Sequence, residues 1–289
     1  MSTVVTFVQA LFNGLVDGAA IALAALGLTL SYGISRFINF AYGEFLMLGA
    51  FASVFLSEAG LPVPLAILIG SAIVGIVGVG INTGLYRPLE EYGSIPLLIT
   101  SFGVAFVLRT TVRGIVGSQG HSFDIPLIQP LEFAGIFFPV VNLIILIVGV
   151  LVLGLMYLLL TQTVLGIKMR AISGNRDLAR VSSINVERIG SYAWFISAGI
   201  GALAGGLLAL RLQPFTPSLG WELLLVVFAA TILGGIGRPV GAAIGAVIIG
   251  LTMSLGTTYL SPSYTTGYAF VVLLATILIR PEGIFRGEI

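Results

Sequence analysis

Cysteine is absent from this 289-residue chain, which excludes disulfides, thiol catalysis and Cys-ligated metals. The single histidine, His121, cannot build an imidazole-based metal site alone, so no metal or cofactor is expected. Charge is scarce too. Only 9% of residues are Asp, Glu, Lys or Arg, where soluble domains carry about a quarter. The net charge of +1 leaves no electrostatic case for nucleic acid. Lysine occurs once, as Lys168, and Ile167 precedes it. A phosphate-binding loop, whose lysine follows a glycine, is therefore excluded. If ATP drives this protein, a partner must hydrolyse it. No basic segment precedes the first apolar run, so no cleavable signal peptide is expected.

What remains is apolar length. Hydrophobic residues make up 57% of the chain, and the mean hydropathy is +1.11. No soluble core hides that much apolar surface, so the solvent is lipid. Apolar blocks near 8–33, 38–56, 63–85, 94–112, 139–160, 190–210, 223–237, 240–258 and 266–280 give eight to ten candidate spans. The seventh and ninth are short, which leaves room for a broken or re-entrant helix. The expectation is an all-α polytopic membrane protein in one domain, 1–289. Its halves, about 1–160 and 190–289, are joined by a polar connection at 161–189. If that connection is cytoplasmic, ten of the thirteen Lys and Arg residues fall inside: Arg36, Arg87, Lys168, Arg170, Arg176, Arg180, Arg188, Arg238, Arg280 and Arg286. Arg109, Arg113 and Arg211 fall at the outer face. A nine-span count then gives an external N-terminus and a cytoplasmic C-terminus.

The stretch YGISRFINFAYGEF, from Tyr32 to Phe45, places polar residues between two apolar blocks. Arg36 and Asn39 are expected at the inner face, with Glu44 in the first turn of the second span, where the helix dipole favours an acid. That is a structural role. The functional reading is a polar lining of an inner gate or pathway by Asn39, Tyr42 and Glu44, with Glu222 as a further candidate. A related pattern returns at Ser218–Ala230, where Glu222 lies 178 positions after Glu44. Ile69–Gly75 and Ile244–Gly250 match at an offset of 175. Opposite faces for the two Glu residues suggest pseudo-symmetric inverted halves, a transporter device. Asp17 and Arg109 are the plausible intramembrane charges, both near the outer face. Four-residue glycine spacings at Gly14–Gly18, Gly80–Gly84, Gly201–Gly205, Gly237–Gly241 and Gly241–Gly245 predict close helix packing. GVGINTG, at Gly78–Gly84, is similar in outline to a dinucleotide loop, but it lacks the third-glycine spacing and lies in a span.

The 161–189 connection is longer than a turn requires. Asn175 is placed to cap a short helix over Arg176–Ser182, with Asp177 in its first turn, and Asn185 to cap the sixth span. A positive-inside loop explains the charges. An ordered helix points further, to docking of a cytoplasmic protein through Leu178 and Val181, with Arg176 and Arg180 facing acids on that protein.

The segments LGLTLSYGISRFINFAYGEFLMLGAF, YRPL, GIKMRAISGNRDLARVSSINVERI, FAATILGGIGRPVGAAIGAVIIG and RPEGIF resemble the LivH-type permeases of branched-chain amino acid ABC importers. The resemblance covers nearly the whole chain. It implies a type II importer-like fold. It also implies a sister permease of the M type, two cytoplasmic ATPase subunits and an extracytoplasmic substrate-binding protein as partners. Residues around Gly166–Arg188 match the family's ATPase-coupling segment, which brings in Gly166, Lys168 and Arg170 beside Asn175, Arg176, Leu178, Arg180 and Val181. Ser183 departs from the pattern, which usually has Gly there. Relatives of this pattern also carry urea or short amides, so the solute stays open. A passive small-solute channel lacks a visible selectivity ring here. An assembly factor with no solute stays in contention.

Overall fold

Apolar runs without interior charge form helices in lipid, because each backbone N–H and C=O must be bonded within its own segment. The computed structural model describes residues 3–125, 129–133, 135–280 and 283–284, and they are predominantly helical. Arg286 and part of the Arg280–Phe285 motif lie outside the described residues.

The chain opens with α1 (Thr3–Ser35) and α2 (Tyr42–Glu58). Next, α3 (Val63–Ile81) runs through a π-helical turn, Asn82–Tyr86, into α4 (Arg87–Leu89) and a 3-10 turn, Glu90–Tyr92. Then come α5 (Ser94–Val116), a small hairpin of β1 (Leu131–Phe133) and β2 (Ile136–Phe138), and α6 (Val140–Gln162). The polar connection folds as α7 (Val164–Gly174) and α8 (Arg176–Val181). The rest is α9 (Val186–Arg211), α10 (Leu219–Gly234), α11 (Pro239–Tyr259) and α12 (Thr265–Ile279). Proline stands in the first turn of α3 and α11, where its missing N–H costs no bond.

Among the described residues, seven helical segments are long and apolar enough to cross a membrane: α1, α3 with its extension, α5, α6, α9, α11, and α12 with the turn before it. Two shorter helices, α2 with 17 residues and α10 with 16, complete the bundle among the described residues. The short seventh span is α10, which begins at Leu219 rather than 223.

Polar contacts sort the helix ends into two groups. The Arg36 guanidinium donates to the Ser173 carbonyl, Arg176 pairs with Glu90, Arg87 pairs with Glu187, and Ile284 N–H donates to Leu233 O. These gather the ends of α1, α7, α8, α9 and α10 on one side, the α8 side. At the other end Gln9 bonds both backbone groups of Phe137, and His121 and Phe215 exchange a pair of backbone hydrogen bonds.

Small residues bring the buried backbones together. A Cβ on Gly14 would lie 2.8 Å from the Leu251 Cα of α11, and one on Gly18 2.9 Å from the Val247 Cα. On the other flank a Cβ on Gly75 of α3 would lie 2.9 Å from the Phe195 carbonyl of α9. Gly205 faces the Leu46 backbone, Gly49 that of Ala202, and Gly245 that of Ala230 and Gly234. The Gly14–Gly18, Gly201–Gly205 and Gly241–Gly245 spacings therefore mark contacts. The Gly80–Gly84 spacing does not, since both positions face open space. In that stretch only Gly78 is covered, by Ala198. Gly237 lies in the turn before α11 with φ +86°, a left-handed conformation that suits glycine.

Candidate functional site

The segment after α1 does not stay at the bundle's end, as the sequence suggested. Residues 36–41 climb between the helices. Asn39 is buried, its Oδ1 accepting from the Ala41 N–H at 3.0 Å and from the Tyr86 hydroxyl at 3.3 Å. Tyr42 packs against Gly27 and Gly201, and its hydroxyl lies 3.4 Å from the Ser197 carbonyl. Ser197 is eleven residues into α9, about 16 Å from that helix's start at 1.5 Å per residue. So α2 begins inside the bundle, not at its rim.

One turn further, Glu44 is fully buried. Its Oε1 accepts from Arg109 Nε at 3.0 Å and from Nη2 of the same guanidinium. Arg109 also lies over the Trp221 ring of α10, 5.0 Å from its centroid. The pair thus ties α2, α5 and α10 together. This corrects one expectation: Glu44 is not at the inner face, because α2 starts at depth. Arg109, expected as an intramembrane charge, has Glu44 as its partner. The Glu44 Oε2 oxygen has no partner in the bundle. Asp17 pairs with Arg211 at the end of α9, Nε to Oδ1 at 2.7 Å.

The two short helices cross at their first turns. A Cβ on Gly43 would meet the Gly220 carbonyl, and a Cβ on Gly220 that of Gly43. Their acids do not match in environment: Glu44 is buried, whereas Glu222 is exposed. The structure does not bring Glu222 to the Asn39–Tyr42–Glu44 cluster.

On the α8 side, Thr163 caps α7, its hydroxyl accepting from the Gly166 N–H at 3.1 Å. Gly166 is buried, and a Cβ there would run into the Leu159 and Leu160 carbonyls, so α7 folds tightly back on α6. Lys168 and Arg170 are exposed. Asn175 caps α8 as its sequence position suggested, Oδ1 accepting from the Leu178 N–H at 2.9 Å, and Asn185 caps α9 likewise through the Arg188 N–H at 2.9 Å. The far end of α8 is closed by two reverse bonds, Ile184 N–H to Ala179 O at 3.2 Å and Ser183 N–H to Arg180 O at 3.3 Å. Leu178 and Val181 point outward, 61% and 80% exposed. Arg180 is exposed, 3.8 Å from Asp177. Arg176, expected to face a partner's acids, is instead engaged with Glu90. Sequence reasoning missed that link. Its signal was the acidic pair Glu90–Glu91 following the long third span.

A family profile described as "Branched-chain amino acid transport system / permease component" matches residues 10–279. The chain belongs to this permease family. Among similar proteins, the high-affinity branched-chain amino acid permease BraD of Pseudomonas aeruginosa is 30% identical over 300 residues, covering 98% of this chain and 97% of that protein. LivH of Escherichia coli K12 is 30% identical over 301 residues, covering 96% and 95%. The ribose import permease RbsC of the same organism is 28% identical over 281 residues, covering 93% and 84%. Among solved structures, PsaBC from Streptococcus pneumoniae in complex with Fab superposes with a TM-score of 0.53 at 17% identity, covering 96% of this chain and 92% of that one. That likeness bears on the fold alone. The protein is thus an all-α membrane transport permease.

Proposed function

We propose that this permease moves branched-chain amino acids inward across the cell membrane by alternating access, driven by two cytoplasmic ATPase subunits. A sister permease and an extracytoplasmic binding protein complete the transporter. No chemistry on substrate occurs on this chain. The solute assignment is supported by the relatives, whose names specify branched-chain amino acids. In this reading the α8 side and the C-terminus are cytoplasmic, consistent with the positive-inside bias.

The observation that carries the coupling role is α8. It is a helix of six residues, too short to be stable alone, yet closed by side-chain and backbone caps at both ends. Its caps hold two apolar side chains largely exposed, where they contribute little to this chain's own core. An ATPase surface that covers them gives them a purpose. Movement imposed on α8 then passes through Arg176–Glu90 to the end of α3, and α3 packs along α9. We further read α1–α3 and α9–α11 as inverted repeats. Each repeat's first helix packs against the other's third, and the short second helices cross at Gly43 and Gly220. We put the gate at that crossing, with Asn39, Tyr42 and Glu44 behind it.

The test is reconstitution with the sister permease, ATPase subunits and binding protein in vesicles. Labelled leucine uptake that requires ATP and the binding protein is expected. Uptake of urea but not leucine would reassign the solute, and ATP-independent leakage would favour the channel reading. Single cysteines at Gly120 and Asn175 should react with an impermeant reagent from opposite sides of the membrane.

A further inference from the structure

A small cavity of about 20 Å³ lies on the α8 side, where α8, the π-helical turn after α3, the end of α1 and the start of α9 meet. Arg176 of α8, Asn82 of the π-helical turn, Ser35 of α1 and Trp194 of α9 line it. Arg87, Glu90 and Glu187 line it too. Arg87 pairs with Glu187 and Arg176 with Glu90, so these four charges cancel. Two polar atoms of the lining residues are left over. Arg176 Nε and Asn82 Oδ1 are both buried, and neither has a hydrogen-bond partner among the described residues. Asn82 as a whole is 6% exposed.

We infer that this cavity binds one water molecule, which accepts a hydrogen bond from Arg176 Nε and donates one to Asn82 Oδ1, and that Asn82 is thereby a positioning residue between α8 and the gate. The positioning role rests on the coupling function proposed above for α8. Size and chemistry choose the occupant. A water needs roughly 10–15 Å³, so the cavity holds one and has no room for an amino acid or a lipid headgroup. Only a group that both accepts and donates satisfies the two atoms. A metal cation would meet the Arg176 guanidinium. An anion would meet the Asn82 amide oxygen beside Glu90 and Glu187. Leaving either atom unpaired away from bulk solvent is costly, and bridging such groups is what buried waters do.

Asn82 is placed to pass movement on. The Arg87 N–H donates to the Asn82 carbonyl, five residues back, closing a π-helical turn of the kind found frequently at functional sites. At the far end of that turn Tyr86 is fully buried, and its hydroxyl donates to Asn39 Oδ1 at 3.3 Å. Tyr86 also packs on Trp194, their ring centroids 5.3 Å apart, and Trp194 Nε1 donates to Ser35 Oγ at 3.0 Å. Ser35 is the last residue of α1, directly before the segment that carries Asn39. A displacement of α8 therefore reaches the gate segment by two routes. One runs through the water, Asn82 and Tyr86 to Asn39, and the other through Tyr86 and Trp194 to Ser35.

The experiment uses the assembled transporter in nanodiscs, imaged by electron cryomicroscopy at a resolution that shows ordered water. One peak within about 2.7–3.2 Å of both Arg176 Nε and Asn82 Oδ1 is expected. Absence of that peak from a map that shows other buried waters would overturn the assignment, as would its loss when gluconate replaces chloride. The second readout is leucine moved per ATP hydrolysed in vesicles. Asn82→Leu, which removes the accepting oxygen, should lower that ratio by about threefold or more, the scale on which residues along a coupling network act. Asn82→Asp keeps the oxygen in place and should retain the ratio. Arg176→Lys keeps a positive charge facing Glu90 but lacks Nε. It should match Asn82→Leu, so the test survives if that variant fails to fold. A wild-type ratio in Asn82→Leu, or an equal loss in Asn82→Asp, would overturn the positioning role. Uptake by the wild type that needs no ATP would remove the coupling function of α8 and the positioning role with it, while the water peak decides the binding site independently.

Discussion

Glu44 and Arg109 stand 65 residues apart in sequence and meet inside the bundle, one carboxylate oxygen accepting from two nitrogens of the same guanidinium. The arrangement explains how charge is tolerated at this depth. The fork geometry satisfies Oε1, and the Trp221 ring covers the guanidinium face. Removing one partner leaves the other buried and uncompensated, which typically costs about 3–5 kcal/mol. Arg109→Leu should therefore lower the thermal stability of the purified permease sharply. Glu44→Gln with Arg109→Leu should recover much of it, because the lone carboxylate is gone. If the single and double variants melt together, the pair contributes no coupling. Arg109→Lys should not substitute, since an ammonium lacks the planar pair of nitrogens that converges on Oε1 and the flat face that lies over Trp221.

Ser183 adopts φ +60°, a left-handed backbone that costs an L-residue about 1–2 kcal/mol. It occupies the position after the α8 cap where glycine usually stands in helix endings of this type. Ser183→Gly should relax that strain and stabilise the segment by up to about 1 kcal/mol, offset in part by glycine's greater freedom when unfolded. Hydrogen exchange at the Leu178–Ser182 amides should slow. Faster exchange would show that the serine holds the turn by contacts that glycine lacks.

Much of this was legible in sequence, for a physical reason. Caps act within three or four residues, so Asn175 and Asn185 announced α8 and α9 from spacing alone. Hydropathy marked the long spans because lipid demands apolar length. The remainder depends on which face of a helix is covered, and no local pattern carries that. Gly80 and Gly84 have the same spacing as Gly14 and Gly18 yet face open space. Glu44 looked like a rim residue because hydropathy assumes every span starts at the surface, whereas α2 starts at the level of Ser197. The Arg176–Glu90 link joins segments 86 residues apart and needed the folded chain.

That link makes a separate prediction. Both side chains are partly exposed, 32% for Arg176 and 19% for Glu90, so the pair should contribute at most about 1 kcal/mol to stability. Its proposed value is mechanical. Glu90→Gln should leave folding and ATPase docking intact while lowering the amount of solute moved per ATP hydrolysed. The exchanged pair Arg176→Glu with Glu90→Arg should restore much of that ratio. An unchanged ratio in Glu90→Gln would remove the tether from the mechanism.

The outward face of α8 bears on the partner directly. Leu178 and Val181 lie three residues apart, so they share one side of the helix, and both are largely exposed. Truncating exposed side chains usually changes stability by less than about 0.5 kcal/mol. Leu178→Ala with Val181→Ala should therefore leave membrane insertion, melting temperature and binding-protein docking at wild-type levels. In a docked complex the same two side chains would occupy an apolar recess of the ATPase, where their loss removes buried area that the rest of the interface does not replace. The double variant should copurify with less ATPase and transport several-fold more slowly. Membrane levels of the permease, measured in the same preparation, separate this from poor expression. A double variant that retains both its ATPase and its transport rate would place the coupling surface elsewhere, with the exposed Lys168 and Arg170 on α7 the next positions to substitute.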